Sequence, residues 1–234
     1  LAMGLIIIIT LLSIAAPLIS DALNVSYTKV NTSETFLPPL SVTTRNDAPS
    51  YHLLGTDDLG RDQFSRLLYA GQVSLSVGFL AAILSLSIGV SLGIVTGYFG
   101  GIADDITNWV IATLTSIPTL FLLLIVASVL SPTPTTLIIV LGFLGWTGTT
   151  RLVRGETLSL REREYTVSAK AIGASSRRIM FSHILPNVFS VIVITLAIDI
   201  GALILAEAGL SFLGLGIKPP IPSWGNMLSK SQEF

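Results

Sequence analysis

Apolar residues are concentrated in five long runs, and polar residues lie mainly between them. A run of about 20 apolar residues is long enough for a helix to cross the hydrocarbon core of a bilayer. Irregular backbone finds no hydrogen-bond partners in lipid, so each run predicts a helix. The alternating pattern of a membrane β-barrel does not fit these runs. The predicted spans are residues 1–20, 73–97, 104–130, 135–152 and 187–213.

Proline and small residues add detail to the predicted spans. Pro118 predicts a kink in the third span, because proline has no backbone N–H to continue the helical ladder. Residues 64–69 predict a short amphipathic helix before the second span, which carries repeated glycines suited to close helix packing. The first run could instead be a cleaved signal peptide. No Lys or Arg precedes Lys29, however, and this favours a retained helix.

Composition supports an integral membrane protein. The 234 residues are 51% hydrophobic and 12% charged, with a mean hydropathy of +0.78. Soluble domains carry about 25% charged residues. The chain contains no cysteine, which excludes disulfides and thiolate metal sites. The first residue is Leu rather than Met, and the chain ends abruptly at Phe234, so we expect a segment of a longer protein.

Basic residues cluster between the fourth and fifth spans, and this fixes the expected orientation. Loops rich in Lys and Arg remain in the cytoplasm. The polar loop at residues 153–186, called the coupling loop below, is therefore predicted to be cytoplasmic. Counting spans from it places the N-terminus inside and residues 21–69 and 214–234 outside. Seven of the 13 Lys and Arg residues lie in or just before this loop: Arg151, Arg154, Arg161, Arg163, Lys170, Arg177 and Arg178.

The coupling loop predicts two short helices joined at a glycine. Tyr165, Ala169 and Ile172 share one helical face, with the spacing i, i+4 and i+7. Gly173 follows at a position typical of a helix C-terminus. Ser175 is suited to cap a second helix, and Pro186 stands where a further helix begins. Two interpretations remain open on composition alone: an amphipathic loop on anionic lipid headgroups, or a docking surface for a cytoplasmic protein.

The same loop resembles the cytoplasmic EAA loop of ABC importer permease subunits. Ala169, Gly173, His183 and the pair Leu185-Pro186 fit the spacing of that family's pattern. The ending HILPN at residues 183–187 is similar to the second permease of the dipeptide, oligopeptide and nickel class. Three further stretches agree with that class: GTDDLGRD at 55–62, GYFGG at 97–101 and EAGLSFLGLG at 207–216. The resemblance extends from His52 to the end of the chain.

Several positions depart from the family pattern. The Glu-Ala-Ala triplet is replaced by Val167, Ser168 and Ala169, so contacts from its glutamate are absent. Trp109 and Ala112 occupy positions where the class often carries an Arg and an Asp. A sixth span and a C-terminal tail are expected beyond Phe234.

The resemblance implies an all-α helical bundle that works with partners. The expected domains are a first membrane helix at residues 1–20, an extracytoplasmic segment at 21–69 and a permease core at 70–234. The implied partners are a second homologous permease, two ATP-binding subunits, an extracytoplasmic substrate-binding protein and membrane lipid, without nucleic acid. No Gly-Lys pair occurs in the chain, so ATP and Mg²⁺ are expected on the ATPase subunits. The expected docking residues are Tyr165, Ala169, Ile172, Gly173, Ala174, Arg177, Arg178, Leu185 and Pro186.

Acidic residues supply two further sets of candidates. Asp199 and Glu207 lie in the fifth span, where buried acids are costly and usually functional. With Ser211 they are predicted to line the translocation pathway, or alternatively to hydrogen-bond neighbouring helices. The second set lies before the second span. It either orders the external segment through internal ion pairs or contacts the binding protein: Asp57, Asp58, Arg61, Asp62 and Arg66.

Two other function classes fit less well. A membrane-embedded hydrolase lacks support, because the chain has no HExxH motif and only two histidines. A secondary transporter or channel would show repeats or broken midplane helices. It would also function without ATP. The substrate itself, whether dipeptide, longer peptide, nickel or oligosaccharide, is not predicted by this sequence.

Overall fold

The structure is a computed structural model that describes residues 2–45 and 48–231. Residue 1 of the predicted first span and residues 232–234 of the predicted external loop lie outside the described residues. Helices dominate the described chain, which confirms the all-α membrane class. The chain divides into two compact units, one built from residues 1–77, 132–134 and 204–234, the other from 78–131 and 135–203.

The secondary-structure elements are numbered here in chain order. Two short strands, β1 (Ser41–Arg45) and β2 (Ala48–His52), and one 3-10 turn (Thr32–Glu34) accompany the helices. A π-helical turn at Met180–Ile184 joins α8 to α9. The helices are α1 (Ala2–Ile14), α2 (Ala16–Ala22), α3 (Gln63–Phe99), α4 (Gly101–Ser116), α5 (Thr119–Val129), α6 (Pro134–Arg161), α7 (Glu164–Ala171), α8 (Ser176–Ile179), α9 (Leu185–Phe212) and α10 (Trp224–Lys230).

Among the described residues, three helices are long and apolar enough to cross a membrane. These are α3, α6 and the continuous helix Ser176–Phe212, which runs from α8 through the π-helical turn into α9. The pair α1 and α2 qualifies as a fourth span, although its two parts are bent by 61°. Pro17 lies in the first turn of α2, where its missing N–H interrupts the helical ladder and accounts for the break.

The third predicted span is not a single kinked helix. It consists of α4 and α5, which are separated at Ile117 and Pro118. Ile117 adopts an extended conformation, with φ −95° and ψ 126°. The ring of a proline disfavours the α conformation in the residue before it, so the chain stops one helix and starts another. The kink predicted at Pro118 is therefore a complete break between two helices.

Several predicted boundaries were too narrow. The short helix predicted at residues 64–69 and the second span form one helix, α3. Helix α6 continues nine residues beyond the predicted end at Leu152, so the coupling loop begins inside a helix. The external loop at 214–234 also contains α10, whose first turn is closed by a capping box between Ser223 and Asn226.

The first unit contains the proposed external segment. Strands β1 and β2 pair antiparallel with Val42 opposite Tyr51, a hairpin that the sequence did not indicate. The rings of Tyr27 and Tyr69 stack with their centroids 3.9 Å apart, which ties the segment to the start of α3. A hydrogen bond of 2.7 Å between the hydroxyls of Ser20 and Ser65 joins α2 to the same helix.

The second unit is built on a close approach of α3 and α6. Three glycines spaced four residues apart on α3 face three side chains with the same spacing on α6. Small residues at this spacing let two membrane helices pack with their backbones near one another. The facing pairs are Gly89 with Thr149, Gly93 with Val153 and Gly97 with Thr157.

A larger side chain in the middle of this stripe should push the helices apart. A Cβ atom added at Gly93 would lie 2.8 Å from Val153 Cβ, closer than real Cβ contacts allow. We expect Gly93→Val to reduce the free energy of unfolding by about 1–3 kcal/mol, the usual cost of overpacking. Thermal unfolding of the purified protein in detergent measures this loss.

The matched control is Gly155→Val on α6, where an added Cβ meets no atom within 4 Å. Both changes place the same β-branched residue in a helix, so intrinsic helix propensity cancels between them. Equal melting temperatures for the two variants would contradict the close approach of α3 and α6.

Candidate functional site

The first helix of the coupling loop ends in a closed hydrogen-bonded turn. The Ala174 N–H donates to Ala169 O at 3.0 Å, and the Gly173 N–H donates to Lys170 O at 3.1 Å. This pair of bonds is the Schellman motif, which needs a left-handed residue after the helix. Gly173 supplies it with φ +88°, a conformation that costs other residues about 1–2 kcal/mol. Gly173 thus sets the angle between α7 and the chain that follows.

The second helix begins with a side-chain cap and continues into the fifth span. Ser175 Oγ accepts a hydrogen bond of 3.4 Å from the Arg178 N–H, as its position predicted. Pro186 does not begin a new helix, because α8 continues through the π-helical turn into α9. The Leu185 N–H bonds to Met180 O, five residues back. This wider turn accommodates the proline, which cannot form the usual bond four residues back.

An apolar cluster anchors the coupling loop to the ends of two long helices. Tyr98, Ala174, Met180 and Leu185 pack around its edge. Burial of each aliphatic side chain contributes roughly 1.5–3 kcal/mol. The loop is therefore held as one packed body with α3 and α6. The buried members of the cluster are Ile94 of α3, Val153 and Leu160 of α6, Ile179 of α8, Ile184 of the π-helical turn and Val188 of α9.

Arg161 adds a polar anchor at the end of α6. Its Nη1 donates to Gly97 O at 3.3 Å and to Tyr98 O at 3.2 Å. Its Nε donates to Glu162 Oε1 at 3.0 Å. The two carbonyls belong to the last turn of α3, whose C=O groups have no partners within the helix. Arg161 thus joins the C-terminal ends of α3 and α6.

The predicted docking residues fall into an exposed and a buried group. Ile172 is 87% exposed, Tyr165 is 42% exposed, and Arg177 and Arg178 are exposed as well. Ala169 is only 8% exposed, although it shares a helical face with Tyr165 and Ile172. Ala169 therefore offers a partner much less surface than Tyr165 or Ile172 does. Ala174 and Leu185 are half-buried, whereas Gly173 and Pro186 are exposed.

Glu207 is not an open pathway residue within the first unit. Its side chain is fully buried and accepts hydrogen bonds of 2.7 Å from Ser74 Oγ and Ser211 Oγ. Those hydroxyls in turn accept from the Trp224 N–H at 3.2 Å and the Ile217 N–H at 3.0 Å. The geometry favours the alternative hypothesis for Glu207 and Ser211, in which both hold neighbouring segments together.

Asp199 occupies a different environment in the second unit. It is half-buried, and its Oδ2 accepts a hydrogen bond of 3.2 Å from Thr149 Oγ1 of α6. An acid that is half-buried and held by one hydroxyl keeps capacity to accept from a further donor. Of the three predicted pathway residues, Asp199 is the one that is partly exposed and can accept a further hydrogen bond.

The acidic and basic residues before α3 form an internal network. Asp57, Arg61 and Arg66 are all buried, with Arg61 Nε donating to Asp57 Oδ2 at 2.8 Å. Arg66 Nε lies 3.6 Å from the same oxygen. Of the two interpretations left open by the sequence, the burial and pairing of these three residues favour the one in which they order the segment through internal ion pairs.

The remaining two residues of this set differ from each other. Asp62 is buried and pairs with His52, with Asp62 Oδ2 2.9 Å from Nδ1, so it too is unavailable to a partner. Asp58 is half-buried and forms an ion pair of 3.1 Å with Lys230 of α10. The sequence analysis missed both partners. His52 lies only ten positions before Asp62. Lys230 lies 172 positions after Asp58, and nothing local signals a contact over that distance.

The environments of these carboxyls shift their pKa values in opposite directions. Burial raises the pKa of Asp57. Hydrogen bonds from the Arg61 side chain and from the N–H groups of Arg61 and Leu59 together lower it by more, so the pKa lies below its ordinary value. Burial raises the pKa of Asp62 more than the N–H of Ser65 and the side chain of His52 lower it. Within the described ranges, no group of three or more His, Asp or Glu side chains could hold a metal.

Comparison with known proteins identifies a family whose matched range contains the coupling loop. Residues 89–233 match the model of a family described as the binding-protein-dependent transport system inner membrane component. That range includes the whole coupling loop.

The chain belongs to this family.

Named relatives agree along almost the whole length. The chain is 37% identical to the dipeptide transport system permease protein DppC of Alkalihalophilus pseudofirmus, over 99% of this chain and 73% of the relative. It is 37% identical to DppC of Haemophilus influenzae, over 98% of this chain and 76% of the relative. Identity to the oligopeptide transport system permease protein OppC of Bacillus subtilis is 36%, over 96% and 70% respectively.

In this transport-system component, Asp57→Asn tests the internal network. The change leaves Arg61 and Arg66 buried without their shared carboxylate. Removing one partner of a buried ion pair costs about 3–5 kcal/mol. We expect that loss in the free energy of unfolding at pH 7, measured in detergent. The exposed Asp105→Asn serves as the control and should change stability little.

The same comparison has a predicted pH dependence. The pKa of Asp57 is lowered on folding, so its stabilising contribution is present above the ordinary range of an aspartate, about 4. That contribution disappears as the pH falls through the lowered pKa. The difference between wild type and Asp57→Asn should therefore shrink below about pH 4. Equal stability of Asp57→Asn and Asp105→Asn at pH 7 would refute the network's structural role.

Proposed function

We propose that this chain is a permease subunit of an ATP-driven importer for peptides or a related small solute. It forms half of the translocation pathway and couples to a separate ATPase through the cytoplasmic loop. The observation that carries this proposal is the similarity, over 96–99% of the chain, to relatives named for dipeptide and oligopeptide transport.

The proposed topology follows from the charge distribution. The N-terminus and the coupling loop at 153–186 lie in the cytoplasm, and residues 21–69 and 214–234 face outside. Residues 1–20 belong to the first membrane span, which is bent between α1 and α2, and residues 70–234 form the permease core. The partners are a second homologous permease, two ATP-binding subunits that carry ATP and Mg²⁺, an extracytoplasmic substrate-binding protein and the lipid of the cytoplasmic membrane.

The coupling loop transmits movement because one of its surfaces contacts the ATPase and the other packs against the membrane helices. Ile172 and Tyr165 present apolar area to the ATPase, and Arg177 and Arg178 present charge to its acidic groups. The opposite surface packs into the cluster around Ile179. A displacement of the exposed surface therefore moves the ends of α3 and α6, since a packed interior does not deform continuously.

Asp199 is the proposed pathway residue of this chain. Its half-buried carboxylate is held by Thr149 and retains an acceptor site. A peptide carries a terminal ammonium group, and a carboxylate in a low-dielectric environment interacts strongly with such a cation. Asp199 is therefore placed to meet the ammonium end of a peptide during passage.

Ile172→Glu tests the docking surface. Exposed apolar anchors commonly dominate protein interfaces, and truncating one costs about 2 kcal/mol or more. We expect the variant to lose at least about 90% of the ATPase that co-purifies with wild type, since 1.4 kcal/mol corresponds to tenfold in affinity. The fold should survive, because Ile172 is 87% exposed.

The matched control is Val30→Glu, which also replaces an exposed aliphatic residue with an acid but lies in the proposed external segment. It should retain the ATPase. Retention of the ATPase by Ile172→Glu would contradict the docking surface. Absence of any ATPase from the wild-type preparation would favour the alternative function, a secondary transporter or channel independent of ATP.

A further inference from the structure

A cavity of about 480 Å³ lies in the second unit between the end of α3 and the coupling loop. At about 30 Å³ per water molecule, it holds a ligand much larger than a few waters. The exposed docking residues and Asp199 are not among the residues that line it. Its lining residues are Tyr98 and Phe99 of α3, Arg161, Glu162, Thr166, Val167 and Lys170 around α7, and Ser176 and Ile179 of α8.

One side of the cavity is cationic and rich in donors. Arg161 is fixed by the carbonyls of Gly97 and Tyr98, and Glu162 neutralises part of its charge. Lys170 is exposed and forms no ion pair with any acid that the structure describes. The lining residues therefore carry a net charge of +1 when Arg161, Lys170 and Glu162 are all ionised.

Thr166 provides an independent observation. The residue is 3% exposed, and its Oγ1 has no hydrogen-bond partner among residues 2–45 and 48–231. Buried hydroxyls almost always have a partner. Thr166 lines the cavity, so a ligand there with an acceptor oxygen would satisfy this hydroxyl.

The other side of the cavity is apolar and adjoins a membrane helix. Phe99 ends α3, is exposed, and stacks edge-on against Tyr98 with ring centroids 5.0 Å apart. Val167 of α7, which is exposed, and Ile179, which is buried, also line the cavity. Aromatic residues at the end of a membrane helix mark the level of the lipid headgroups.

We propose that this cavity binds the phosphate and glycerol of an anionic phospholipid. Lys170 and Arg161 attract the phosphate, and Thr166 Oγ1 donates a hydrogen bond to it. The acyl chains leave the cavity past Phe99 into the bilayer. Placing the site at the cytoplasmic leaflet rests on the proposed function, but the lipid chemistry rests only on the residues that line the cavity.

Native mass spectrometry of the delipidated complex tests this proposal by titration with three probes. These are short-chain phosphatidylglycerol, short-chain phosphatidylcholine and inorganic phosphate. We expect phosphatidylglycerol to bind more tightly than the other two. Thr166→Val and Lys170→Gln should each weaken its binding about tenfold, the equivalent of one charge-assisted hydrogen bond. Lys218→Gln, which removes an exposed lysine outside the coupling loop, should leave it unchanged.

Several outcomes would overturn the site. Equal affinity for phosphatidylcholine would remove the role of the positive charge, and equal affinity for inorganic phosphate would make the ligand a free anion. Unchanged binding in both variants would place the lipid elsewhere. Binding of phosphatidylglycerol only after the ATPase has been removed from the complex would assign the cavity to an acidic side chain of that partner.

The same preparations distinguish this proposal from the proposed function. Co-purification of the ATPase is scored separately from lipid binding. Loss of the ATPase from wild type with lipid binding intact would refute the importer assignment and support the lipid site. Because Lys170 is exposed, Lys170→Gln keeps the test informative even if Thr166→Val fails to fold.

Discussion

The close approach of α3 and α6 is the constraint on which the second unit depends. Gly89, Gly93 and Gly97 have no side chains, so Thr149, Val153 and Thr157 pack directly against the backbone of α3. The association of helices in lipid gains little from the hydrophobic effect and relies on such close contact. Because the two helices meet along this stripe, Arg161 can reach the last carbonyls of α3, and one apolar cluster can fix the coupling loop to both.

The charged residues of this chain serve two separate tasks. Asp57, Arg61 and Arg66 are buried together, and each carboxyl oxygen of the buried Glu207 accepts a hydrogen bond from a serine hydroxyl, so these groups maintain structure. A buried charge is tolerated when hydrogen bonds and counter-charges surround it. An acidic residue within an apolar stretch of sequence is therefore not by itself evidence of a role in transport.

Much of the fold was predictable because it depends on local chemistry. Gly173 was expected at a helix end, and it is there because the left-handed turn requires a residue without Cβ. The break at Pro118 was expected only as a kink, although the restriction that a proline places on the residue before it signals the extended state of Ile117. The partners of Glu207 and Asp58 were not predictable. Ser74 and Lys230 lie 133 and 172 positions away, and only the folded chain brings them close.

Site-directed cross-linking tests most directly the claim that the coupling loop is the cytoplasmic docking surface. The chain contains no cysteine, so Ile172→Cys and Val30→Cys each introduce a single reactive thiol. In inside-out membrane vesicles containing the whole complex, the account predicts that Cys at position 172 cross-links to the ATPase and that Cys at position 30 does not. Labelling of position 172 only by impermeant reagents from the outside, or cross-linking of position 30 to the ATPase, would contradict the account.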